Sequence, residues 1–508
     1  MKKKIIIIGG GYAGLAAAVL FAETGHTVTV LEKNSQLGGR AGQLRSSGFR
    51  FDTGPSWYLM PEVFEHYYSL LGLYVQKELS LTRLQPGYKV FFESHAPITI
   101  YGDLSKDAAT FESIERGAGD RLKEYVKKSQ RVYDLSVRSI LYNNYDSLGW
   151  AFQRQLLKEL PAFVKLATTT LDAYVSQQFN DIRLKQILEY HSVFLGTSPY
   201  KAPAIYSLMS TLDFKSGVFY PKNGIYSLVE SLHQLGKTRG VTYKISSPVD
   251  AIVTSGNVAR GVRLISGELL EADVVISAAD LHHTETMLLP KDSQSYPEPY
   301  WKKKEPSPSA LLISLGIKGK LAHLQHHNLY FVDAWKENFA AIYDTFTIPE
   351  NASIYICNPS ATDPTTAPAG NENIFILLPL PAHKKLTLEE TTSLTKRCIE
   401  QLSIITESSD LASRIITEDI LGPEDFATRF NAWEYNSLAG QSHVLLQSAF
   451  FRTPNKSKKL ENLYYVGAGT NPGVGLPMCL ISAELVYKRV CGIHSSGPLA
   501  SLVKGESE

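Results

Sequence analysis

Three closely spaced glycines and one acidic residue stand out near the start of the chain. Gly9, Gly11 and Gly14 follow an apolar run, and Glu32 lies eighteen residues beyond the last of them. Without a Cβ, the backbone can turn tightly at Gly9 and can approach a pyrophosphate at Gly11. Gly14 would let a helix lie close to a strand, and a carboxylate at Glu32 can accept hydrogen bonds from ribose hydroxyls. These residues therefore predict a dinucleotide-binding site.

The segments around these glycines have the order that such a site requires. Ile5 to Ile8 predict a buried parallel strand, residues 12–22 a helix and residues 27–30 a second strand. The pyrophosphate would lie at the N-terminus of the helix, against Tyr12 and Ala13, where backbone N–H groups are free. Strand, turn, helix and acid in register make the glycine motif specific.

A second glycine turn follows the acid and favours FAD over NAD. Gly38 and Gly39 again bring bare backbone towards the cofactor, and Arg40 offers a fork of donors to phosphate or flavin oxygens. The arrangement resembles flavoproteins with two dinucleotide-binding domains. An ordinary surface turn that ends in a solvated arginine is the alternative.

Two further segments are predicted to contact the cofactor. Gly54, Pro55 and Ser56 form a rigid turn after a short strand at 49–51. Val249 begins a later strand, where its backbone would meet adenine; a plain strand residue is the alternative.

A glycine-rich loop near the end of the chain gives a second strong signal. It follows a predicted strand at 463–466 and precedes a predicted helix at 478–489. Its N–H groups would stabilise negative charge on a reduced flavin. A loop without a ligand is the alternative. The predicted contacts here are Gly467, Gly469, Gly475, Leu476 and Pro477.

The composition excludes several classes of function. The 508 residues are 44% hydrophobic, and 51 basic against 50 acidic residues leave a net charge of +1, so nothing indicates a nucleic-acid partner. The four cysteines are far apart without ligand spacing, so we predict free core thiols in a reducing cytosol and no metal site.

Two segments imitate membrane signals. Lys2 to Lys4 and the following isoleucines resemble a signal peptide, but the glycine motif inside them argues for a folded segment. Asn462 to Ala483 lacks charges, yet its glycines and prolines favour a strand, a loop and a buried helix start. We predict no transmembrane helix, and association with a membrane surface stays open.

The element pattern predicts the α/β class, with a Rossmann-type FAD-binding domain assembled from discontinuous segments. A mixed-sheet substrate domain and a helical insertion are interleaved with it. The predicted boundaries are 1–105, 216–300 and 456–495 for the FAD-binding domain, 106–215 for the helical insertion, 301–455 for the substrate domain and 496–508 for a flexible tail.

Two smaller predictions concern the insertion and one loop. The insertion contains a dense apolar set that can form a core face, a wall of an apolar substrate tunnel or a lipid-contacting patch: Leu156, Leu157, Leu160, Phe163, Val164 and Leu166. Residues 359–370, rich in proline and threonine, are predicted to be a surface loop.

These motifs together resemble the bacterial phytoene desaturase family. The resemblance rests on Gly9 to Gly14, Glu32, Gly38 to Arg40, Asp52 to Ser56 and Gly467 to Pro477; it covers nearly the whole chain and is strongest at both ends. Within the family, residues 57–61 and 475–480 are most similar to enzymes acting on C40 phytoene. Enzymes of C30 or hydroxylated carotenes are not excluded.

The resemblance implies an enzyme with non-covalent FAD that introduces successive C=C bonds into phytoene. A hydride would leave an allylic carbon for flavin N5 and a neighbouring carbon would lose a proton, with no strong protein base required. Arg40, Asp52 and Glu434 are the polar candidates, each more typical of a cofactor or structural partner.

The family also implies partners and a location. An apolar carotene would come from the bilayer, so the enzyme would be cytoplasmic and peripheral on the inner face of the cell membrane. A quinone or oxygen would accept the electrons. The alternatives are a flavin-dependent carotene isomerase, a flavin amine oxidase and a non-enzymatic FAD protein.

Overall fold

The fold is described from a computed structural model, for residues 2–146, 154–438 and 440–502. The strands are β1 Lys4–Ile8, β2 Thr27–Leu31, β3 Gln43–Ser46, β4 Phe49–Asp52, β5 Leu81–Arg83, β6 Tyr88–Phe92, β7 Ile98–Ile100, β8 Phe219–Pro221, β9 Thr242–Lys244, β10 Val249–Ser255, β11 Val258–Leu264, β12 Leu269–Glu271, β13 Val274–Ser277, β14 Ser309–Ile317, β15 His327–Phe331, β16 Ile354–Cys357, β17 Glu372–Leu380, β18 Ile415–Leu421 and β19 Leu463–Tyr465.

Helices separate these strands, and several short 3-10 and π segments lie between them. The α-helices are α1 Tyr12–Glu23, α2 Pro61–Leu70, α3 Val75–Glu78, α4 Leu104–Ile114, α5 Ala118–Ser136, α6 Arg154–Thr168, α7 Leu171–Ser176, α8 Ile182–Glu189, α9 Met209–Thr211, α10 Tyr226–Thr238, α11 Leu281–His283, α12 Glu298–Trp301, α13 Trp335–Tyr343, α14 Leu388–Ile405, α15 Pro423–Phe430 and α16 Leu476–Cys491.

A parallel sheet of five strands carries the glycine motif. Its order is β19-β13-β1-β2-β9, so β1 lies at its centre between β13 and β2. Ile5 and Ile7 pack into the core with α1, whereas Ile6 and Ile8 pack into a second core on the other face. Burial on both faces explains the continuous apolar run of this strand. The predicted Rossmann-type class is confirmed.

A mixed sheet of seven strands forms the second layer, in the order β18-β14-β17-β16-β15-β6-β7. All nine residues of β14 are buried. Leu311 and Ile313 face a core that includes α14, and Ala310 and Leu312 face the opposite core. The apolar patterns of the sequence predict a strand from Ser309 to Ile317 and a helix from Leu388 to Ile405, and β14 and α14 have these bounds.

The two sheets divide the chain differently from the predicted boundaries at one place. Residues 88–100 were grouped with the first FAD-binding segment, but β6 pairs with β15 of the seven-stranded sheet. In the second segment, β9 and β13 join the parallel sheet while β10, β11 and β12 form a separate antiparallel sheet. The other predicted boundaries stay predictions.

Residues 359–370 connect β16 to β17 at the surface, as predicted, but part of this segment is anchored in the protein. They contain two 3-10 turns, and Asp363 and Thr366 are buried. The Asp363 carboxylate accepts the backbone N–H of Asn223 at 2.8 Å and lies 3.5 Å from Arg50. These distant partners fix the segment against the protein, which a local composition pattern does not reveal.

The uncharged segment 462–483 forms β19, a loop and the start of α16, as predicted. Among the described residues, no helix is both long and apolar enough to cross a bilayer. The aromatic spacing of Phe64, Tyr67 and Tyr68 predicts core residues rather than a substrate box. All three lie in the core beside α1, which confirms this prediction.

Candidate functional site

A cavity of about 1020 Å³ opens at the carboxyl ends of the parallel strands and extends to the seven-stranded sheet. Ile8, Leu31 and Val466 line it just where β1, β2 and β19 end. Ligands of open α/β sheets bind outside the carboxyl ends of the strands, so the fold places a site here.

Nearly all the residues predicted to bind the cofactor come together in this cavity. Gly14 lies behind the wall. The lining includes Gly9, Gly11, Tyr12, Ala13, Glu32, Gly39, Arg40, Gly54, Pro55, Ser56, Val249, Gly467, Gly469, Gly475, Leu476 and Pro477. They come from five stretches of chain, 9–13, 32–40, 54–56, 249 and 467–477, which are separated by up to about two hundred residues.

The glycines of the first turn have different structural reasons to be glycine. Gly9 has a φ of +99°, and a Cβ there would lie 3.1 Å from the Ala278 carbonyl carbon. A Cβ on Gly14 would lie 2.2 Å from the Gly9 carbonyl oxygen, so α1 contacts β1 closely. Gly11 has a φ of −69°, and the protein atom nearest to its Cβ position is Gly39 Cα at 4.0 Å. Only Gly11 leaves open space in front of it, as a cradle for a ligand requires.

Two helices present uncapped N-termini to the cavity. Helix α1 begins after Gly11 without a side-chain cap or an acidic residue in its first turn. Helix α16 begins after Gly475 in the same way, and Gly475 has a φ of +125°. Free N–H groups and the positive ends of two helix dipoles therefore favour negative charge here.

The carboxylate of Glu32 is held at the cavity wall by local donors. Its Oε2 accepts the Gly10 N–H at 2.8 Å, and its Oε1 accepts the Asn34 backbone and side-chain N–H groups at 2.8 and 2.9 Å. A carboxylate has about four acceptor positions. The remaining one, on Oε2, suits a ribose hydroxyl.

Arg40 is a partly buried cation, and no carboxylate among the described residues lies within hydrogen-bond distance of its guanidinium. Its Nη2 lies 3.5 Å from the Asn436 carbonyl oxygen, and its Nε has no hydrogen-bond partner among the described residues. Burial lowers the pKa of the Arg40 guanidinium, while Asp280 opposes that shift. An orphaned donor beside two helix N-termini fits a phosphate or flavin oxygen. The site therefore fits FAD.

The other two polar candidates lie outside this cavity. Asp52 accepts the Ile225 and Tyr226 backbone N–H groups at 2.7 and 3.1 Å, so it fixes the start of α10. Glu434 accepts from or donates to His383 Nδ1 at 2.7 Å and is partly exposed. Asp52 and Glu434 thus make structural contacts and line no part of the cavity.

Arg452 positions the C-terminal glycine loop and was not found from the sequence. It is buried, and its guanidinium donates to the carbonyl oxygens of Ala468 at 2.7 Å and Thr470 at 3.1 Å, and also to Gln441 and Gln447. Its acceptors are backbone carbonyls, which leave no sequence signature.

The part of the cavity away from the glycine turns is apolar. Leu160, Phe163 and Val164 of α6 line it, and Leu160 and Val164 are 46% and 52% exposed. This exposure argues against a core face and fits both a wall of an apolar tunnel and a lipid-contacting patch. Leu166 is half-buried, and the side chains of Leu156 and Leu157 lie outside the described residues. Other aromatic and aliphatic residues of the cavity lining are Trp57, Tyr190, Phe194, Ile205, Leu208, Trp335, Phe339 and Ile342.

A buried polar cluster lies behind the aromatic wall and was also missed. One side-chain ligand atom each of His326, His327 and Cys357 lies within 4.8 Å of the other two. The Trp57 ring stacks on His327 with centroids 4.1 Å apart, and Tyr355 lies 2.6 Å from His327 Nδ1. Adjacent strands bring these residues together, so their sequence spacing gave no motif.

Comparisons with known proteins agree with this geometry. The family model of flavin-containing amine oxidoreductases matches residues 12–491. A carotenoid 3,4-desaturase of Haloarcula japonica is 37% identical over 94% of this chain and 96% of its own. A zeta-carotene-forming phytoene desaturase of Myxococcus xanthus is 33% identical over 96% and 94%.

Solved structures show the same fold. An oxidoreductase from Methanosarcina mazei has a TM-score of 0.63 at 16% identity, covering 96% of this chain and 100% of its own. With the family match and the two relatives, the chain belongs to the flavin-containing amine oxidoreductases and, within them, to the carotenoid desaturase family, as an enzyme that uses FAD.

Proposed function

We propose that this protein is a carotene desaturase that introduces successive C=C bonds into C40 phytoene. The observation that carries the proposal is one cavity with a dinucleotide cradle at one end and a long apolar wall at the other. A carotene offers no polar group to recognise, so shape and dryness must position it. The phytoene desaturase at 33% identity supports this substrate class.

The cradle residues would hold FAD, which supplies a hydride acceptor when bound. The N-termini of α1 and α16 would stabilise the negative charge that develops during reduction. Arg40 would donate to cofactor oxygens, and Glu32 would accept from the ribose. The apolar wall around Phe339 and Ile342 would exclude water and align the chain of the substrate.

A second candidate is desaturation of the 3,4 bond of a carotene that is already partly desaturated. The relative at 37% identity carries this activity in its name. Both candidates use the same cradle and the same apolar wall, and they differ in the bond that lies beside the cofactor.

The apolar end of the cavity opens at a hydrophobic rim, which we define as Leu160, Val164, Leu445, Leu446, Phe450 and Phe451. These six side chains are between 38% and 66% exposed. Contiguous exposed apolar side chains mark an interaction surface. We propose that this hydrophobic rim rests on the inner face of the cell membrane, takes up the carotene there and gives access to a quinone or oxygen as electron acceptor.

Co-expression in a host that accumulates phytoene tests the proposal. The expected result is a coloured product with lengthened conjugation and a loss of two hydrogens per new bond. A host supplied with partly desaturated carotenes distinguishes the 3,4-desaturase. An altered geometry with an unchanged hydrogen count would instead indicate an isomerase, and peroxide released from amines with no pigment change would indicate an amine oxidase.

A further inference from the structure

A row of hydrogen-bonding side chains begins at the cavity wall and continues through the seven-stranded sheet. Ser56 lines the cavity, and its Oγ lies 2.8 Å from the Tyr355 hydroxyl. The same hydroxyl lies 2.6 Å from His327 Nδ1. Because hydroxyl hydrogens rotate, this row can carry a proton in either direction.

From His327 towards the protein surface the row has one gap, between the two histidine rings, which no hydrogen bond among the described residues closes and which one bridging water would span. The ring centroids of His326 and His327 are 4.5 Å apart, and one side-chain nitrogen of each ring lies within 4.8 Å of the other. His326 Nδ1 lies 2.8 Å from the Thr362 hydroxyl. Thr362 is partly exposed, so the row ends where water is available.

The two histidines have polar atoms that the fold leaves unused. Both residues are buried, and the Nε2 atom of each has no hydrogen-bond partner among the described residues. Buried polar atoms are nearly always paired, so two unpaired ring nitrogens side by side need an explanation. A position through which a proton passes accounts for both atoms.

The surroundings keep both rings neutral. Burial lowers the pKa of His326 to about 3, against the effect of Asp363, and burial and His326 lower the pKa of His327 well below its ordinary value. Tyr220 and Cys357 also face the rings, and burial raises the pKa of both groups. A neutral ring accepts a proton only from a strong acid and releases it at once, which suits a carrier.

We propose that Ser56, Tyr355, His327, His326 and Thr362 form an exit path for the proton that the substrate loses during desaturation. The inference rests on the proposed function. Each new double bond removes two hydrogens, one as a hydride that bound FAD takes up and one as a proton. The second C–H bond breaks, its electron pair becomes the π bond, and the proton has to leave a dry cavity.

The path needs no strong base, because a carbon next to a polyene cation is a strong acid. The proton passes to Ser56, the Ser56 and Tyr355 hydrogens shift towards His327 Nδ1, and the His327 ring is briefly cationic. The face of Trp57, which is within 8° of parallel to that ring, stabilises the cation. The proton then crosses to His326 through one water between the rings and leaves at Thr362.

Tyr355→Phe removes one hydroxyl from the path and keeps the ring. The matched control is Tyr330→Phe, which removes a hydroxyl from the opposite face of the same sheet, in the core with α14. We expect the rate of a single turnover per bound flavin to fall by about 100-fold in the first variant, the lower range for a positioned proton-transfer group, and to be unchanged in the second. Ser56→Ala interrupts the path at the cavity and should slow turnover similarly.

Two readouts separate a proton path from a structural contact. Turnover in D₂O should be slower than in H₂O for the unmodified enzyme and for Tyr330→Phe, and this solvent effect should change in Tyr355→Phe. The ¹⁵N signals of His326 and His327, measured without substrate, should show neutral rings at about pH 7. A cationic ring, or one bound zinc per chain, would overturn the path.

The outcomes distinguish this inference from the proposed function. If the unmodified enzyme makes no conjugated carotene, the function fails. If it does, and Tyr355→Phe and Ser56→Ala turn over as fast as Tyr330→Phe, the function stands and the proton path is wrong.

Discussion

Gly11 and Gly14 belong to one motif, but different neighbours exclude side chains at the two positions. A Cβ on Gly14 collides with the Gly9 carbonyl oxygen at 2.2 Å, which is a demand of the protein itself. A Cβ on Gly11 comes no closer than 4.0 Å to a protein atom. We therefore propose that the cofactor, and not the fold, requires glycine at position 11.

This difference predicts opposite behaviour of two variants. Gly11→Val should leave the stability of the apoprotein almost unchanged and abolish flavin binding. Gly14→Ala should destabilise the apoprotein by about 1–3 kcal/mol or more, as overpacking does. Denaturant unfolding of the apoprotein and flavin absorbance per chain measure the two effects. A Gly11→Val protein that keeps its yellow flavin would contradict the assigned pyrophosphate position.

At the residue scale, the sequence predicts the roles of residues whose contacts lie close to them in the chain. The functions of Gly9 and Gly14 follow from a turn and a helix a few residues long, so their spacing predicted them. Arg452 and His327 act on residues distant in sequence or through backbone carbonyls, and no spacing encodes such contacts. Asp52 is a polar candidate more typical of a cofactor or structural partner, and only the fold identifies its partners as the N–H groups at the start of α10.

Among the elements, α8 and α13 are joined by a buried acid under the cavity wall. The Glu189 carboxylate accepts the Trp335 indole N–H at 2.8 Å, and its other oxygen has no partner among the described residues. Burial raises the pKa of Glu189 to about 8; the hydrogen bond from Trp335 lowers it, Asp172 raises it further and Lys185 lowers it. The folded protein therefore favours the protonated acid.

The stability that Glu189 contributes should decrease with rising pH. An acid whose pKa is raised on folding stabilises the protein fully below its unfolded pKa, about 4.3, and loses that contribution as the pH rises towards 8. Glu189→Gln keeps an acceptor for Trp335 and cannot ionise. We expect the free energy of unfolding of the unmodified protein, relative to this variant, to fall between about pH 5 and 8, by at most about 1.4 kcal/mol per pH unit. If the difference in free energy of unfolding between the two proteins does not change with pH, folding does not raise the pKa of Glu189.

Elements with a strong internal pattern were predictable, and those fixed by distant partners were not. The apolar spacing of α14 and the continuous apolar run of β14 gave their bounds directly. Residues 359–370 lack such a pattern, and their burial depends on Arg50 and Asn223. The sequence predicts strands at Tyr88 to Glu93 and Ile98 to Tyr101. Only the pairing of β6 with β15 assigns these strands to the seven-stranded sheet.

For the whole molecule, the proposed membrane contact depends on where the hydrophobic rim lies. Other exposed apolar residues exist, such as Leu388 and Ile404 of α14, at 84% and 70% exposed. They lie on the helix that covers the opposite face of the seven-stranded sheet. Exposure alone therefore does not identify a membrane contact. The proposal depends instead on the position of the hydrophobic rim beside the cavity.

This contrast gives a matched test of membrane binding. Leu446→Ser with Phe450→Ser should weaken sedimentation with lipid vesicles by at least about tenfold per residue, because burying such a side chain contributes about 1.5–3 kcal/mol. Leu388→Ser with Ile404→Ser should leave vesicle binding unchanged. Equal losses in both double variants, or none in the first, would remove the rim from the proposal.

The order β19-β13-β1-β2-β9 also has a consequence for synthesis. On the ribosome, β1 and β2 emerge first, but β13 and β19 follow only after hundreds of further residues. At roughly 5–20 residues per second, the nascent chain exposes an unpaired edge of the isoleucine strand for tens of seconds. We therefore expect chaperones to cover this edge and flavin to be captured only after translation has passed α16.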